Sequence, residues 1–330
     1  MNARQKKLLC SLSLAALPVI GLSPWSTPAA FADPIVIEPT PVEIPRTSIE
    51  IPRTEIDGSE AVPLDPKDYP QGLLFPYSLI DNAFKGNVDL DGNVAYSNLK
   101  DNKNLDNYVQ AAAHADLSAF PVFDVYSTDS DTGRKTKVSK NHSAELVFWI
   151  NTYNALLLSS IAEVYPIKSI DLVKNFDTEK THRVAGKDYS FKELREKVAS
   201  FGEPRALFAL ASGTAGGFLP SPTAIRYVEL SPRLDSAVSV FVNDPRNVTL
   251  NRIQNVVMVN PILKDMDAPF AKSKRFKFDG IRQILATYTE QRGNRSYFTT
   301  NEYRIDFAKP NRGINDSTNS AIVNPLQTSS

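Results

Sequence analysis

Residues 142–166, HSAELVFWINTYNALLLSSIAEVYP, contain no charged side chain between Glu145 and Glu163. Residues of one stripe repeat at steps of three and four, which is the spacing of a helix, and the opposite faces are apolar too. Water is therefore excluded from all sides of this helix, and Pro166 ends it. The sequence predicts a long buried helix around which the domain is organised.

Two asparagines, Asn151 and Asn154, lie on that stripe. A buried amide without a partner costs about 1–3 kcal/mol, so each must be paired or must face a polar cavity. Both alternatives stay open here, and both residues are candidate ligand-binding residues. The same polar side chains, in a charge-free window shorter than the roughly 20 residues of a membrane span, argue against a transmembrane helix.

The charge balance limits the classes of partner. The chain has 330 residues with 37 basic and 37 acidic side chains, which are well mixed, and it is 42% hydrophobic. This composition is ordinary for a soluble protein and argues against nucleic-acid binding. We expect no nucleic-acid partner and no transmembrane segment in the mature chain.

Residues 1–32 have the three parts of a signal peptide. Three basic residues precede an apolar run, and residues 30–32, Ala-Phe-Ala, have the form of a signal-peptidase site. The only cysteine, Cys10, lies inside the apolar run. We therefore predict a secreted or periplasmic protein without cysteine, which excludes disulfides, thiolate nucleophiles and thiolate metal sites.

The segments that flank the globular part differ from it in composition. Residues 33–70 are rich in proline, and the sequence Ile-Pro-Arg-Thr at 44–47 recurs at 51–54. Such spacing favours extended backbone, so we predict a flexible linker, either a plain spacer or a tether. Globular patterning covers residues 71–310, and residues 311–330, rich in Asn, Ser and Thr, predict a disordered tail.

Short elements of both kinds accompany the buried helix. We predict hairpins at 122–138 and 183–189, helices at 76–84, 104–117, 191–199, 234–243 and 278–289, and strands at 169–173, 208–210, 248–250, 256–258 and 304–307. Their alternation is too irregular for a doubly wound parallel sheet. The predicted fold is α+β, a single domain around a central buried helix with small antiparallel hairpins.

An acidic loop at residues 86–96 has two interpretations. In its sequence, GNVDLDGNVAY, apolar and polar residues alternate around an Asp-Gly pair, as they do in a β-hairpin. Asn87, Asp89 and Asp91 also match a calcium loop, but Asn98 stands where a bidentate glutamate is needed. We favour the hairpin and predict no metal site.

Residues 212–217, SGTAGG, are all small. Such a loop lets backbone N–H groups approach a ligand, and a tight structural turn explains the same residues. It is not a nucleophile elbow, because Leu210 and Thr214 replace the two glycines. Ser212 and Gly213 are candidate ligand-binding residues, and Ser212 is also a candidate nucleophile.

Several of these stretches resemble the domain of unknown function 547 family. The family's helix with Phe-Trp-Ile-Asn-x-Tyr-Asn-Ala is similar to residues 148–155, and further elements are similar to residues 88–96 and 184–191. The resemblance covers about residues 76–315. Since no activity is established for the family, the resemblance implies no particular reaction.

One segment departs from the family pattern. The family's Pro-Arg-x-His-Phe-Ala-Leu, followed by two cysteines, corresponds here to residues 204–210, PRALFAL. Leu207 stands at the histidine position, Ser212 near the first cysteine and Gly217 near the second. Arg205 is retained and is a further ligand-binding candidate. The resemblance implies that any thiol chemistry of the family is lost in this chain.

Three functional hypotheses follow, of which we favour the first. It is an exported, non-catalytic binding or scaffold protein with an envelope or extracellular partner, a small polar ligand and no cofactor. The second is a secreted hydrolase or transferase with Ser212 in place of the cysteine nucleophile. It lacks an evident base, because His114, His142 and His182 are scattered along the chain. The third is an envelope structural protein tethered by residues 33–70.

Overall fold

The structure, a computed structural model, describes residues 75–128, 134–265, 280–309 and 311–319. The predicted signal peptide and linker, the tip of the first hairpin and residues 320–330 lie outside the described residues. The described residues belong to one compact unit. Within them, no helix has the length and the apolar character needed to cross a membrane.

Helices and short strands alternate along the described chain. The helices are α1 Ser78–Phe84, α2 Tyr96–Leu99, α3 Lys103–Ala113, α4 Ser143–Val164, α5 Phe191–Ala199, α6 Leu230–Asn243, α7 Ile281–Tyr288 and α8 Arg292–Thr300. The strands are β1 Phe123–Thr128, β2 Lys135–Asn141, β3 Thr181–Val184, β4 Lys187–Ser190, β5 Val248–Asn251, β6 Val256–Val259 and β7 Arg304–Phe307. This mixture of helices and small sheets in one domain confirms the predicted fold class.

Helix α4 corresponds to the apolar stretch at 142–166. Of its 22 residues, 17 are buried, and it packs against α2, α3 and α5. The ring of Phe148 lies 5.0 Å from the rings of both Phe75 and Phe120. At the start of the helix the side-chain carbonyl of Asn141 accepts a hydrogen bond from the Ser143 N–H at 2.8 Å. The two polar amides of α4 are thus carried by an element that is almost entirely out of water.

The strands form three small sheets. Strands β1 and β2 pair antiparallel, as do β3 and β4, so both predicted hairpins are confirmed. The third sheet has the order β5-β6-β7, and β7 lies parallel to β6. The predicted antiparallel hairpins are thus accompanied by one parallel pair of strands. A parallel pair needs a crossover connection, and α7 and α8 belong to that connection between β6 and β7.

The β3–β4 hairpin leads directly into α5. Ala185 and Gly186 both have positive φ, 49° and 77°, as a tight two-residue hairpin turn requires. Ser190 and Glu193 then form the predicted capping box: the Glu193 N–H donates to Ser190 Oγ at 3.3 Å, and Ser190 N–H donates to the Glu193 carboxylate at 2.7 Å. This cap fixes where α5 begins and which side chains it presents.

Two predicted strands are 3₁₀ helices instead. Residues 169–173 contain the 3₁₀ turn Ile170–Leu172, and residues 208–210 are the last two residues and the C-cap of the 3₁₀ helix Pro204–Ala209. In the second case Pro204 occupies the first turn and the Glu203 side chain accepts from the Arg205 N–H, which are signals for a helical start. Segments of three to five residues are too short to show a period, so their sequences do not distinguish a strand from a 3₁₀ turn.

The acidic loop contains a single antiparallel bridge, between Val88 and Val94. The Asp89 carboxylate accepts hydrogen bonds from the backbone and side-chain nitrogens of Asn93, both at 2.8 Å. Gly92 has a φ of 75°, which a turn with an Asp-Gly pair requires. In the described part of the chain, no group of three or more His, Cys, Asp or Glu side chains is arranged to hold a metal ion.

Residues 311–319 are packed into the domain and do not begin the predicted tail. Ile314 and Asn315 are each 1% exposed. The Asn315 side chain accepts from the Tyr96 hydroxyl at 2.6 Å and donates to the Gly92 carbonyl at 2.5 Å. A composition rich in polar residues predicts disorder only where those groups stay in water, whereas this asparagine is buried and fully paired. In the structure these residues are part of the folded domain.

Candidate functional site

A cleft of about 700 Å³ lies beside the small-residue loop. Its floor is apolar and formed by Leu157, Ile170, Phe176, Leu207 and Phe218. Polar side chains line the remainder: Tyr153, Asp177, Lys192, Arg195, Glu196, Ser212, Thr214, Asn260, Asn311 and Arg312. The cleft thus combines an apolar floor with many polar and charged side chains, and its size suits a small molecule.

Ser212 lines this cleft, but its hydroxyl is used within its own loop. It lies 3.0 Å from Thr214 Oγ1 and 3.2 Å from the Phe218 carbonyl, and it accepts from the Thr214 N–H at 3.2 Å. In the described part of the chain, these hydrogen bonds include no carboxylate and no imidazole. A serine nucleophile needs a base within about 2.6–3.2 Å, so the geometry supports a turn-forming role rather than catalysis.

The small residues of 212–217 are required by close packing. Gly213 has a φ of 68°, and a Cβ atom there would lie 2.5 Å from Ile161 Cδ1 of α4. A Cβ atom on Gly216 would lie 2.8 Å from Asn311 Cβ, and one on Gly217 would lie 2.1 Å from Ser212 Oγ. The loop is therefore pressed between α4 and residue 311. Gly213 is buried against α4 and does not line the cleft.

Asn151 and Asn154 are both paired with backbone. The Asn154 amide donates to the Ala209 carbonyl at 2.9 Å and accepts from the Ala211 N–H at 2.8 Å. Asn151 makes the same pair of bonds with Ile225, at 2.8 and 2.9 Å. Of the two alternatives left open by the sequence, these bonds favour the structural one. The two side chains hold the segments at 209–211 and 225 against α4.

Arg205 belongs to a different place in the fold. Its guanidinium is 1% exposed and donates to both Glu203 oxygens, at 2.9 and 2.8 Å, and to Asp235 at 2.7 Å. Burial opposes its charge, but the hydrogen bonds to Glu203 and Asp235 raise the pKa of Arg205 above its ordinary value. It lines a second cleft, of about 760 Å³, together with Glu145. The structure does not bring Arg205 together with Ser212.

The three histidines lie away from the Ser212 cleft. His182 faces Ser160 Oγ at 3.5 Å and packs against the Phe191 ring at 4.6 Å, and burial lowers its pKa to about 4. His142 lies 3.8 Å from Glu145. His114 is exposed at the end of α3. None of them lines the cleft with Ser212, so the described residues place no imidazole base there.

The charged residues of the cleft were not predicted from the sequence. Arg195 of α5 donates to the Tyr153 hydroxyl at 3.0 Å and pairs with Asp177 at 3.1 Å. Arg312 donates from Nε to Asp171 at 2.8 Å. On an amphipathic helix such as α5, charged residues three and four positions apart predict a face exposed to solvent. Only the position of α5 beside the 3₁₀ segment at 204–209 turns that face into a wall of the cleft.

Comparison with known families gives one match. Residues 138–242 match the family model described as "Protein of unknown function, DUF547". The match confirms the resemblance seen in the sequence over about a third of the chain, from β2 to α6. The wider extent, residues 76–315, stays a prediction. Comparison with curated proteins and with solved structures gives no match.

Proposed function

We propose that this protein is an exported, non-catalytic binding protein that takes a small ligand into the Ser212 cleft. The observation that carries the proposal is the hydrogen bonding of Ser212 itself. Ser212 lines a cleft of ligand size, about 700 Å³, and within the described residues its hydroxyl is bonded to Thr214 and Phe218. A serine hydroxyl without a base beside it is not activated for attack, so the cleft supports ligand binding rather than covalent catalysis by Ser212.

The positions that depart from the family pattern support the same conclusion. Leu207, which stands at the family's histidine position, forms part of the apolar floor. Ser212 and the neighbouring Gly217, near the two cysteine positions, are in close contact with each other. The lining is thus apolar at the histidine position, and near the first cysteine position it carries a hydroxyl that is bonded within its own loop. An apolar floor favours ligand burial over proton transfer.

The second candidate is the secreted hydrolase or transferase with Ser212 as nucleophile. The specific observation in its favour is that Ser212 lines the cleft. A panel of chromogenic esters and amides separates the two functions. We expect no turnover above the buffer rate, and no difference between the wild type and Ser212→Ala. If the wild type turns over a substrate and Ser212→Ala does not, the protein is an enzyme and the proposed binding function is wrong.

Binding is tested with a neutral apolar fluorophore, N-phenyl-1-naphthylamine, and with two tryptophan substitutions on α5 and its end. Ala199 is exposed and lines the cleft, whereas the next residue, Ser200, lines the second cleft. We expect Ala199→Trp to remove the binding, since it fills the cleft from an exposed position, and Ser200→Trp to leave it unchanged. Equal binding by the wild type and both variants would contradict the proposal.

Export is proposed on the signal-peptide pattern of residues 1–32. We expect the exported protein to begin at Asp33 and to contain no cysteine. Intact-mass measurement of protein from the medium or the cell envelope determines the first residue, and a maleimide probe reports any thiol. A thiol in that product would show that Cys10 is retained.

The partner of such a protein would be a component of the envelope or the extracellular space. The proline-rich residues 33–70 supply the length for a tether in the scaffold version of the proposal. Deletion of this segment should abolish localisation to the envelope and leave the melting temperature nearly unchanged. Unchanged localisation would leave the segment as a plain spacer.

A further inference from the structure

We infer that the ligand of the Ser212 cleft is an amphipathic anion, whose acidic group binds Arg195 and whose apolar body covers the floor. This inference rests on the proposed binding function and adds the chemical class of the ligand. Three features carry it: the way Arg195 is held, the exposure of the carboxylate that it pairs with, and the separation of charged and apolar residues within the cleft.

Arg195 is positioned independently of its acidic partner. Its guanidinium donates to the hydroxyl of Tyr153 at 3.0 Å, and Tyr153 is a buried residue of α4. The backbone of Arg195 is fixed by α5, whose start is set by the capping box at Ser190. An arginine held in this way keeps its direction when its carboxylate partner is exchanged. Guanidinium groups bind carboxylates in well-defined geometry, often through two hydrogen bonds.

Asp177 is the acidic partner of Arg195 and lies at the solvent edge. The two side chains are 3.1 Å apart, and they are 56% and 37% exposed, respectively. Ion pairs this open to water contribute little to stability, because water solvates both charges well. The acidic group of a ligand can therefore take the place of Asp177 on Arg195 at small cost. Asp177 thus acts as a resident anion that competes with the ligand.

The other charges of the cleft are paired as well. Lys192, Arg195 and Arg312 line the cleft with the carboxylates of Asp177 and Glu196, and Arg312 is paired with Asp171. The Lys192 and Glu196 side chains are 4.0 Å apart and both 64% exposed, which makes a weak pair. All of these charges belong to the rim, and the attraction of an anion to this rim is screened by salt.

The apolar floor favours a ligand with an apolar part over a small inorganic anion. Leu157, Phe176, Leu207 and Phe218 are buried side chains that face the cleft. A phosphate or sulfate ion would leave that surface in contact with water. A ligand with an apolar chain or ring removes it from water, which is favourable in proportion to the area covered. The cleft therefore matches a molecule with one acidic end and one apolar end.

The test compares two fluorophores with nearly the same apolar body. 1-Anilinonaphthalene-8-sulfonate carries an anionic group, and N-phenyl-1-naphthylamine does not. We expect Arg195→Gln to weaken binding of the sulfonate by about tenfold and Asp177→Asn to tighten it several-fold, with little change for the neutral probe in either variant. The melting temperature and circular dichroism of each variant show whether it is folded.

A second ion pair supplies matched controls. Arg183 and Asp188 pair at 3.5 Å on the β3–β4 hairpin, outside the cleft, and are 57% and 62% exposed. Arg183→Gln and Asp188→Asn change the net charge as the test variants do and should leave both affinities unaltered.

The outcomes separate the two proposals. If both probes bind, Ala199→Trp removes both, and Arg195→Gln affects them equally, the cleft binds ligands but the anionic class is overturned. Weaker binding of the sulfonate to Asp177→Asn would overturn it as well. If Ala199→Trp leaves both affinities unchanged, the proposed binding function itself fails.

Discussion

Asn154 on the buried helix accepts a hydrogen bond from the backbone N–H of Ala211 at 2.8 Å. The same amide donates to the carbonyl of Ala209 at 2.9 Å, so one side chain pairs with the backbone on both sides of Leu210. An asparagine amide has the donor and acceptor of a peptide group, and here it replaces the partner strand that this irregular segment lacks. The loop that carries Ser212 is thereby anchored to α4.

Asn154→Ala is expected to lower the free energy of unfolding by about 1–3 kcal/mol, because the N–H and the carbonyl that it pairs with are left buried without partners. Urea denaturation followed by tryptophan fluorescence measures the change. Ser159→Ala, a partly buried position of the same helix, is the control and should cost less. Unchanged stability together with lost probe binding would mean that the amide serves the ligand.

Gly217→Ala is expected to destabilise the protein by about 1–3 kcal/mol, since overpacking forces neighbours to move. The new methyl group would lie 2.1 Å from Ser212 Oγ and 2.5 Å from Ser212 Cβ. Ser212→Gly removes both atoms, so Gly217→Ala should cost less in the Ser212→Gly background than in the wild type. A double-mutant cycle of unfolding free energies measures this coupling, and simple additivity would contradict the contact.

Local signals made part of this fold predictable. The capping box at Ser190 and Glu193 lies within four residues, and the β3–β4 turn depends on one Gly and its neighbour. The extent of α4 follows from a single uninterrupted apolar stretch. Such features need no knowledge of the rest of the chain, because their hydrogen bonds close between residues that are near in sequence.

The cleft was beyond such reasoning, because its walls come from distant parts of the sequence. Arg312, which lines the cleft, pairs with Asp171 across 141 residues. The role of Arg195 depends on Tyr153 of another helix. The sequence also does not show that the Asn154 amide is used by the backbone of Ala209 and Ala211. Polar residues look alike in a sequence whether they meet water, backbone or a ligand.

His182 provides a prediction for the pH dependence of stability. Burial lowers its pKa in the folded protein to about 4, below the value of about 6.5 for an exposed histidine. Between these values the unfolded chain binds a proton that the folded chain does not, so the free energy of unfolding falls as the pH drops from about 7 to about 4. His182→Gln should remove about 1–3 kcal/mol of that decrease.

Chemical denaturation at pH 7 and at pH 4 measures the effect as the difference between variant and wild type, which cancels the carboxylates that titrate in the same range. His114→Gln, at an exposed position, is the control and should follow the wild type. A His182→Gln profile parallel to the wild type would show that His182 is accessible to protons in the folded state.

Arg205 gives the sharpest distinction between a structural and a ligand-binding residue. Arg205→Leu removes the guanidinium from Glu203 and Asp235 and should lower the free energy of unfolding by about 2–4 kcal/mol, because the Glu203 carboxylate is largely buried and loses its cation. Arg205→Lys should recover only part of this, since an ammonium cannot donate to both Glu203 oxygens in the same fork.

Arg304→Leu, which breaks a pair with Asp306 at a side chain 71% exposed, is the control and should cost less than about 1 kcal/mol. Urea denaturation ranks the three variants, and N-phenyl-1-naphthylamine titration accompanies each measurement. If the Arg205→Leu variant keeps its stability but no longer binds the probe, Arg205 is a ligand-binding residue and not a structural one.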